Sequence, residues 1–547
     1  MADELTERYG NLLSGTYDCV DRIVLNGYFG LGHNPGGFRT WWRELFGSDA
    51  ELDNTHLMRM AGRFSRRVRA WAKASGVPVI DCKAGERKHL IAERYLATWD
   101  KTRFGVFLVL VARAPVQVFD VQRNSSGVIC NLAKKKAFVK HYSFHIYDPE
   151  WGHVTIKLAG HPPFDAQIML NGHEFVAAAA AGAAIAFRKE GNCFTSVPDP
   201  QALAQVADTL SSSEAVGRLV RVCERWIYSS CLCFALHSEE QRVSRFRYSW
   251  SVYQVEYSRN LLFRSGAQLD EVFNRVVDRT RSRLDVRRLS TLFGYKRRPH
   301  RDRRGGPPRI EAVIETPVYD LTVFKIHFGK LTLKAYTKGE HVLRFEAIVH
   351  NTAELRTGKV IERFGDIVTA LSGMLERFVT TCDCVHASFV DDQILERLAL
   401  SAKLGATRVG GLDLNKARQR AVASAALALA GGPNGFRVAD LAEKVQEITA
   451  NPAYTSRQAA YDLRKLRAHD LAVKQQDTRR YVVPPDAART LTGVATLRDE
   501  VLLPVLAGLR DPSTRPRQPS QPTPVDLHYE NLRTEMMALL KDLGIAA

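Results

Sequence analysis

The sequence predicts an α+β, multi-domain protein with mixed and antiparallel sheets and helices, ending in a small helix-and-hairpin unit and a terminal helix. Three observations carry this. A chain of 547 residues exceeds what one hydrophobic core holds, at roughly 100–200 residues per domain. Strand-like and helix-like apolar periods interleave up to about residue 411. Beyond that, two helical runs, a basic helical run and two short strand-like pieces follow one another over residues 412–490.

Residues 1–175 read as an α/β domain, 176–295 as mainly helical, and 296–309 as a basic linker. Residues 310–411 read as a β-hairpin plus helix, either separate or one body with the preceding segments. Residues 412–490 read as a separate unit of helices closed by a hairpin. Residues 491–547 hold a helix, the Pro-rich tether DPSTRPRQPSQPTP and a last helix. In that helix Val525, Tyr529, Leu532, Met536, Leu539 and Leu543 alternate steps of four and three, a seam suited to a homodimer or to packing on the body.

The runs YDCVDRIVLNGYF and FGVFLVLVARAPVQVF are strand-like, and HLMRMAGRFSRRVRAWAKASG between them is helical. That helix has Met60, Phe64, Val68 and Trp71 on an apolar side, and Arg63, Arg66 and Arg67 among its basic residues, suited to phosphate or to a solvated face. The net charge is +18, with an isoelectric point near 9.5. Such an excess draws polyanions, so the expected partner is nucleic acid, DNA ahead of RNA. No apolar run reaches the 18 or more residues of a membrane span. The polar opening MADELTERYGN and nine scattered cysteines lead to an expectation of reduced thiols in the cytoplasm.

Five of sixteen histidines fall in KHYSFHIYDPEWGHVTIKLAGHPPFDAQIMLNGH. Read as a hairpin turning at DPEWG, this pairs Tyr147 with His153 and His145 with Thr155. One face is then apolar and the other carries His141, His145, His153 and Lys157. Histidines so placed serve a divalent metal, acid–base chemistry, phosphate contact or local hydrogen bonding. His161 and His173 read as local turn residues or, together with Glu174, as approaching the same face.

A second hairpin, GKLTLKAYTKGEHVLRFEAIVHN, opposes Tyr336 to Glu340 across Thr337-Lys338-Gly339. Its polar face shows Lys334, Tyr336, Arg344 and Glu346. That set fits a phosphate site with one metal-binding or general-base carboxylate, or a cross-strand charge ladder. The helical spacing of Phe246, Trp250, Tyr253 and Tyr257 reads as a core stripe that also places two tyrosines together. In the C-terminal unit Thr455 or Ser456 caps a helix whose Arg457, Gln458, Tyr461, Arg464 and Lys465 point outward. Arg479 and Arg480 follow beside the QDTR turn. Between the two hairpins, GYKRRPHRDRRGGPPR holds seven Lys or Arg in the fourteen residues 296–309, Arg297 and Arg298 among them.

The segment TSRQAAYDLRKLRAHDLAVKQQDTRRYVV, with the helices before it, resembles the winged helix-turn-helix of bacterial transcription regulators. The resemblance implies that Arg457, Gln458, Tyr461, Arg464 and Lys465 meet a major groove while Arg479 and Arg480 reach phosphate. LKAYTKGEHVLRFE resembles the YxKG…LRFE segment of rolling-circle replication initiators, where that Glu lies near the nicking site. It implies roles for Glu346 and Arg344, and offers Tyr253 and Tyr257 as candidate nucleophiles. The histidine pair of those enzymes has no counterpart here, since three residues separate His141 from His145. The whole chain resembles a group of bacterial hypothetical proteins sharing the DRIVLNGYF opening.

The expectation is a DNA-binding protein of a mobile element or replication system. It acts either as a metal-dependent nickase, with Mg²⁺ or Mn²⁺ on His141, His145, His153 and Glu346, or as a non-enzymatic regulator or RNA binder.

Overall fold

The computed structural model describes residues 4–273, 324–328, 331–355, 357–386, 394–414, 416–432, 435–476, 478–498 and 524–542. The basic segment with Arg297 and Arg298 and the Pro-rich tether lie outside the described residues. Two compact units divide the chain. The first is built mainly from residues 6–273 and 311–376, the second mainly from 377–547.

The first unit is organised by one ten-stranded sheet. Its strands are β1 (Leu13–Tyr28), β2 (Val79–Asp81), β3 (Gly105–Arg123), β4 (Ile129–Asp148), β5 (Gly152–Ala159) and β6 (Ala166–Asn171), then β9 (Ser249–Phe263), β10 (Phe324–Phe328), β11 (Leu331–Lys338) and β12 (Val342–Val349). The small hairpin β7 (Arg188–Lys189) and β8 (Phe194–Ser196) stands apart from it. The spatial order is β10-β11-β12-β9-β1-β6-β5-β4-β3-β2. Every pairing is antiparallel except β2 with β3. Strands from the segments read as 1–175, 176–295 and 310–411 therefore hydrogen-bond side by side in one body, while residues 377–411 belong to the second unit.

The helix Asn54–Ser75 begins at Asp53, whose carboxylate accepts from His56 N, and ends at Gly76 with φ +66°. It buries Leu57, Met60, Phe64, Val68 and Ala72, and Phe64 packs on Tyr142 of β4 with ring centroids 4.5 Å apart. Removing the larger of these side chains from water contributes roughly 1.5–3 kcal/mol apiece. Its basic side is only partly free. Arg63 donates to Glu240 at 2.9 Å and to the Ala235 carbonyl at 3.1 Å, and Arg67 lies 4.0 Å from Glu240. Of the three arginines expected at phosphate, Arg66 alone is exposed; ion pairing inside the unit engages the other two.

The stretch 249–263, read as part of a helical segment, is the strand β9. Its residues satisfy both a 4-3-4 stripe and alternation, and pairing with β1 and β12 selects the strand. The His hairpin forms in the expected register, Tyr147 with His153 and His145 with Thr155. The second hairpin slips: Tyr336 pairs with Arg344 and Lys338 with Val342, leaving Gly339-Glu340-His341 as the loop, with Gly339 at φ +59°. Because the slip is even, every side chain keeps its expected face.

In the second unit a hairpin of β13 (Ala402–Leu404) and β14 (Thr407–Val409) precedes three helices, Ala417–Ala430, Val438–Thr449 and Ser456–Ala468. A hairpin of β15 (Val473–Lys474) and β16 (Tyr481–Val482) follows, widened by an antiparallel bridge from Phe436 to Tyr481. This is the helix, helix, helix, hairpin succession read from the sequence. The helix Pro524–Asp542 also forms as spaced. No helix among the described residues is long and apolar enough to cross a membrane.

Candidate functional site

Between Val20–Tyr257 and Ile23–Val255 the pairing of β1 with β9 shifts, so Asp21 and Arg22 stand against Glu256 alone. Such a bulge bends the strand and re-aims its side chains. Before it, Tyr17, Cys19 and Asp21 follow at every second position, and all three are buried.

Across the neighbouring strands two rows of polar residues share this face. Tyr17 pairs with Asn260, Asn260 with Arg344, and Arg344 with Tyr336; Cys19 pairs with Ser258, Ser258 with Glu346, and Glu346 with Lys334. Paired residues of antiparallel strands lie on one face, so four strands present one polar surface in the middle of the sheet.

The helix that follows β6, Gly172–Gly182, closes over it. Asn171 pairs with Arg22, and its side chain accepts from His173 N at 3.0 Å as the helix cap. A Cβ on Gly172 would stand 1.7 Å from the Val20 carbonyl oxygen, so only glycine lets the helix start this close to β1. That approach sets His173 beside the bulge. Its Nδ1 is 2.5 Å from Asp21 Oδ1, and its Nε2 lies 3.1 Å from Arg344 Nη2 and 3.4 Å from the Tyr17 hydroxyl.

Arg344 is the hub. Its Nε donates to Asn260 Oδ1 at 2.7 Å, Nη2 donates to the Asn192 carbonyl in the β7–β8 turn at 2.7 Å, and Nη1 is 3.5 Å from Asp21. Guanidinium has donors only, so the His173 Nε2 facing it accepts, and the neutral ring carries its proton on Nδ1, towards Asp21. Burial pushes the His173 pKa down although Asp21 opposes this. Burial acts to raise the Asp21 pKa, but Arg344 and His173 outweigh it and hold the carboxyl well below its usual range. Arg344 stays charged.

One rung away, Glu346 is 2.8 Å from Lys334, and burial raises its pKa against that attraction. Burial, and then repulsion by Glu346, pushes Glu256 up to about 7. Lys338 is depressed to about 8 by burial beside Arg344. Asp21, His173, Arg344 and Glu346 are at most 2% exposed.

Cys19 Sγ, an Asp21 oxygen and a His173 nitrogen lie within 4.8 Å of one another, so this group can hold a metal ion. A metal there would require His173 Nδ1 to give up the proton it directs at Asp21 Oδ1, 2.5 Å away. The guanidinium already occupies the role of counter-ion there, so a cation has to compete with it.

The expected metal set does not converge. Glu346 on β12 and His153 on β5 are separated by β9, β1 and β6, four strand spacings or about 19 Å across the sheet. His145 Nδ1 meets His153 Nε2 at 3.0 Å, with the Thr155 hydroxyl 3.2 and 3.4 Å from the two nitrogens. Burial pushes His145 down to about 3, with His153 adding to the shift, and pushes His153 down to about 4. His141, down to about 4 through burial and Lys157, has its Nδ1 3.3 Å from the Val139 carbonyl. Among the described residues no acid or thiol completes a three-ligand set with these rings.

The tyrosines do not pair either. Tyr253 is 39% exposed, while Tyr257 is buried and donates to Asp18, which Arg259 also holds. Sequence reasoning found Arg344 and Glu346 but missed Tyr17, Cys19, Asp21, Ser258 and Asn260, and set His173 aside. The Asn-Gly-His order at 171–173 was the available signal: a cap, a position without a side chain, then a histidine aimed inward. No family model, curated protein or solved structure matches the chain.

Proposed function

We propose that this chain binds duplex DNA through its second unit, with the helix Ser456–Ala468 in a major groove and the β15–β16 hairpin as the wing. The observation that carries the reading is the exposed stripe Arg457, Tyr461 and Arg464, at positions i, i+4 and i+7 of a firmly held helix. Arg418 clamps buried Asp462 with two bonds of 2.8 and 2.9 Å, and the Tyr454 hydroxyl donates to the same carboxylate at 2.7 Å. A helix anchored on its inner side loses little freedom on binding.

Two expected contacts change role. Gln458 closes the capping box, accepting from Thr455 N at 2.8 Å, so it sets the helix start. Lys465 turns inward and donates to the Gly411 carbonyl at 3.0 Å, so it is a positioning residue. On the wing Arg479 is exposed, while Arg480 is half-buried and donates to the Gly435 carbonyl.

The sealed, ion-paired setting of Glu346 and Tyr257 favours a binding protein over a nickase. A metal held by Cys19, Asp21 and His173 would meet sulfur, oxygen and nitrogen donors. That set suits Zn²⁺ rather than the Mg²⁺ or Mn²⁺ expected from the sequence, and its burial suits a structural ion.

Competition binding against a selected duplex and random duplex tests the reading. Arg464→Ala is expected to cost about 1–3 kcal/mol of discrimination, and Arg479→Ala to weaken both duplexes alike. A wild-type protein that binds neither duplex at low salt overturns it.

A further inference from the structure

We propose that the first unit carries a separate contact surface for single-stranded nucleic acid on the β3–β4 ribbon. The proposal goes beyond the winged-helix reading and uses none of its residues. β3 meets β2 only at Val109–Val111, and β4 meets β5 only over His141–Asp148. Apart from Lys140, whose carbonyl accepts from Gly160 N at 2.8 Å, residues 112–123 and 129–140 pair with no strand but each other, as a two-stranded ribbon about 40 Å long.

The ribbon is fastened at its far end. Phe119 packs on Phe38 with ring centroids 4.8 Å apart, Val121 N donates to Asn54 Oδ1 at 3.0 Å, and Arg123 donates to the Leu52 carbonyl at 3.0 Å. Between these anchors and the sheet, one face is open. The register pairs Arg113 with Lys140, Pro115 with Phe138, and Gln117 with Lys136, and all six side chains are exposed.

Phe138 is 65% exposed at the centre of that patch, with Arg113, Lys136 and Lys140 on the adjoining rungs. Among the described residues none of these three cations is paired with a carboxylate, whereas Lys135, on the opposite face, is paired with Asp120. An aromatic ring held in water among unneutralised cations, on a rigid ribbon, matches a strand that offers a base to stack and phosphates to flank it. Duplex DNA buries its base faces and cannot use the ring so, and the charge pattern selects a polyanion over an apolar protein surface.

The test measures anisotropy of labelled (dT)20, (U)20 and a 20-base-pair duplex with the full chain. Phe138→Ala is expected to weaken single strands about 5- to 150-fold, the worth of one stacked base, and to leave the duplex unchanged. Lys136→Gln with Lys140→Gln is expected to lower the salt slope for single strands by about 1.4. Thermal unfolding of both variants should match wild type, since the replaced side chains are exposed. Unchanged single-strand affinity in Phe138→Ala, equal loss on single strand and duplex, or wild-type binding to phosphatidylserine vesicles in place of oligonucleotides overturns the proposal. Arg464→Ala is expected to act on duplex only, so the two surfaces fail or stand independently.

Discussion

Arg344 Nη2 lies 3.1 Å from His173 Nε2, while the other terminal nitrogen of the same guanidinium reaches Asp21 at 3.5 Å. One cation thus fixes the histidine tautomer and offsets the charge of the carboxylate at which the ring's N–H points. The strand β12, the helix after β6 and the bulge in β1 are joined by this arrangement at the centre of the sheet.

Removing Arg344 leaves Asp21 buried without its cation, so Arg344→Met is expected to destabilise the first unit by about 3–5 kcal/mol. Arg344→Lys should recover little, because a single ammonium cannot bond Asn260, Asn192 and His173 together. Asp21→Asn combined with Arg344→Met should cost less than the sum of the single changes. Urea unfolding of the four proteins checks this, and strict additivity would show that the pair is not coupled.

Metal binding has a sign that follows from the same geometry. Taking away the guanidinium removes a competing cation, so Arg344→Gln should bind Zn²⁺ or Co²⁺ more tightly than wild type and regain part of its stability when loaded. Adding Cys19→Ala should abolish the thiolate-to-cobalt absorption and the regain. Equal metal content with and without Cys19 would exclude the site.

The pair of buried His145 and half-buried His153 makes stability depend on acid. Both rings are held neutral in the fold, near 3 and 4, against about 6.5 when unfolded. Below about pH 6.5 the unfolded chain takes up protons that the native pair refuses, so the contribution is full above that pH and is lost as pH falls towards 4. Each ring adds up to about 1.4 kcal/mol per pH unit to the slope. His145→Leu with His153→Leu replaces both partners by apolar groups under Phe107 and should flatten the curve between pH 6 and 5. An unchanged slope would place the acid sensitivity elsewhere.

In the second unit, Asp462→Ala frees Arg418 and the Tyr454 hydroxyl together and should cost about 2–4 kcal/mol. Duplex affinity should fall with it even though Asp462 itself is buried away from any ligand. Calorimetric unfolding beside duplex binding separates this loss from that of Arg464→Ala, which should leave stability unchanged.

The sequence by itself determined the local objects. Alternation placed His145 opposite Thr155, and Thr455 or Ser456 marked a helix start. These are properties of neighbours within a few residues or across one tight turn, where period and capping chemistry are decisive. Only the tertiary structure decided which objects meet. The order of ten strands keeps Glu346 four strands from His153 and brings it instead beside Cys19, Ser258 and Lys334. Strand order is set by long-range pairing between segments hundreds of residues apart, which no local period encodes. The bulge at Asp21 needs β9 as its partner, and the approach of His173 needs Val20 and Gly172 in contact. For the same reason Lys465 and Arg63, cations in outward-reading patterns, turned to a carbonyl and a carboxylate that only the folded chain supplies.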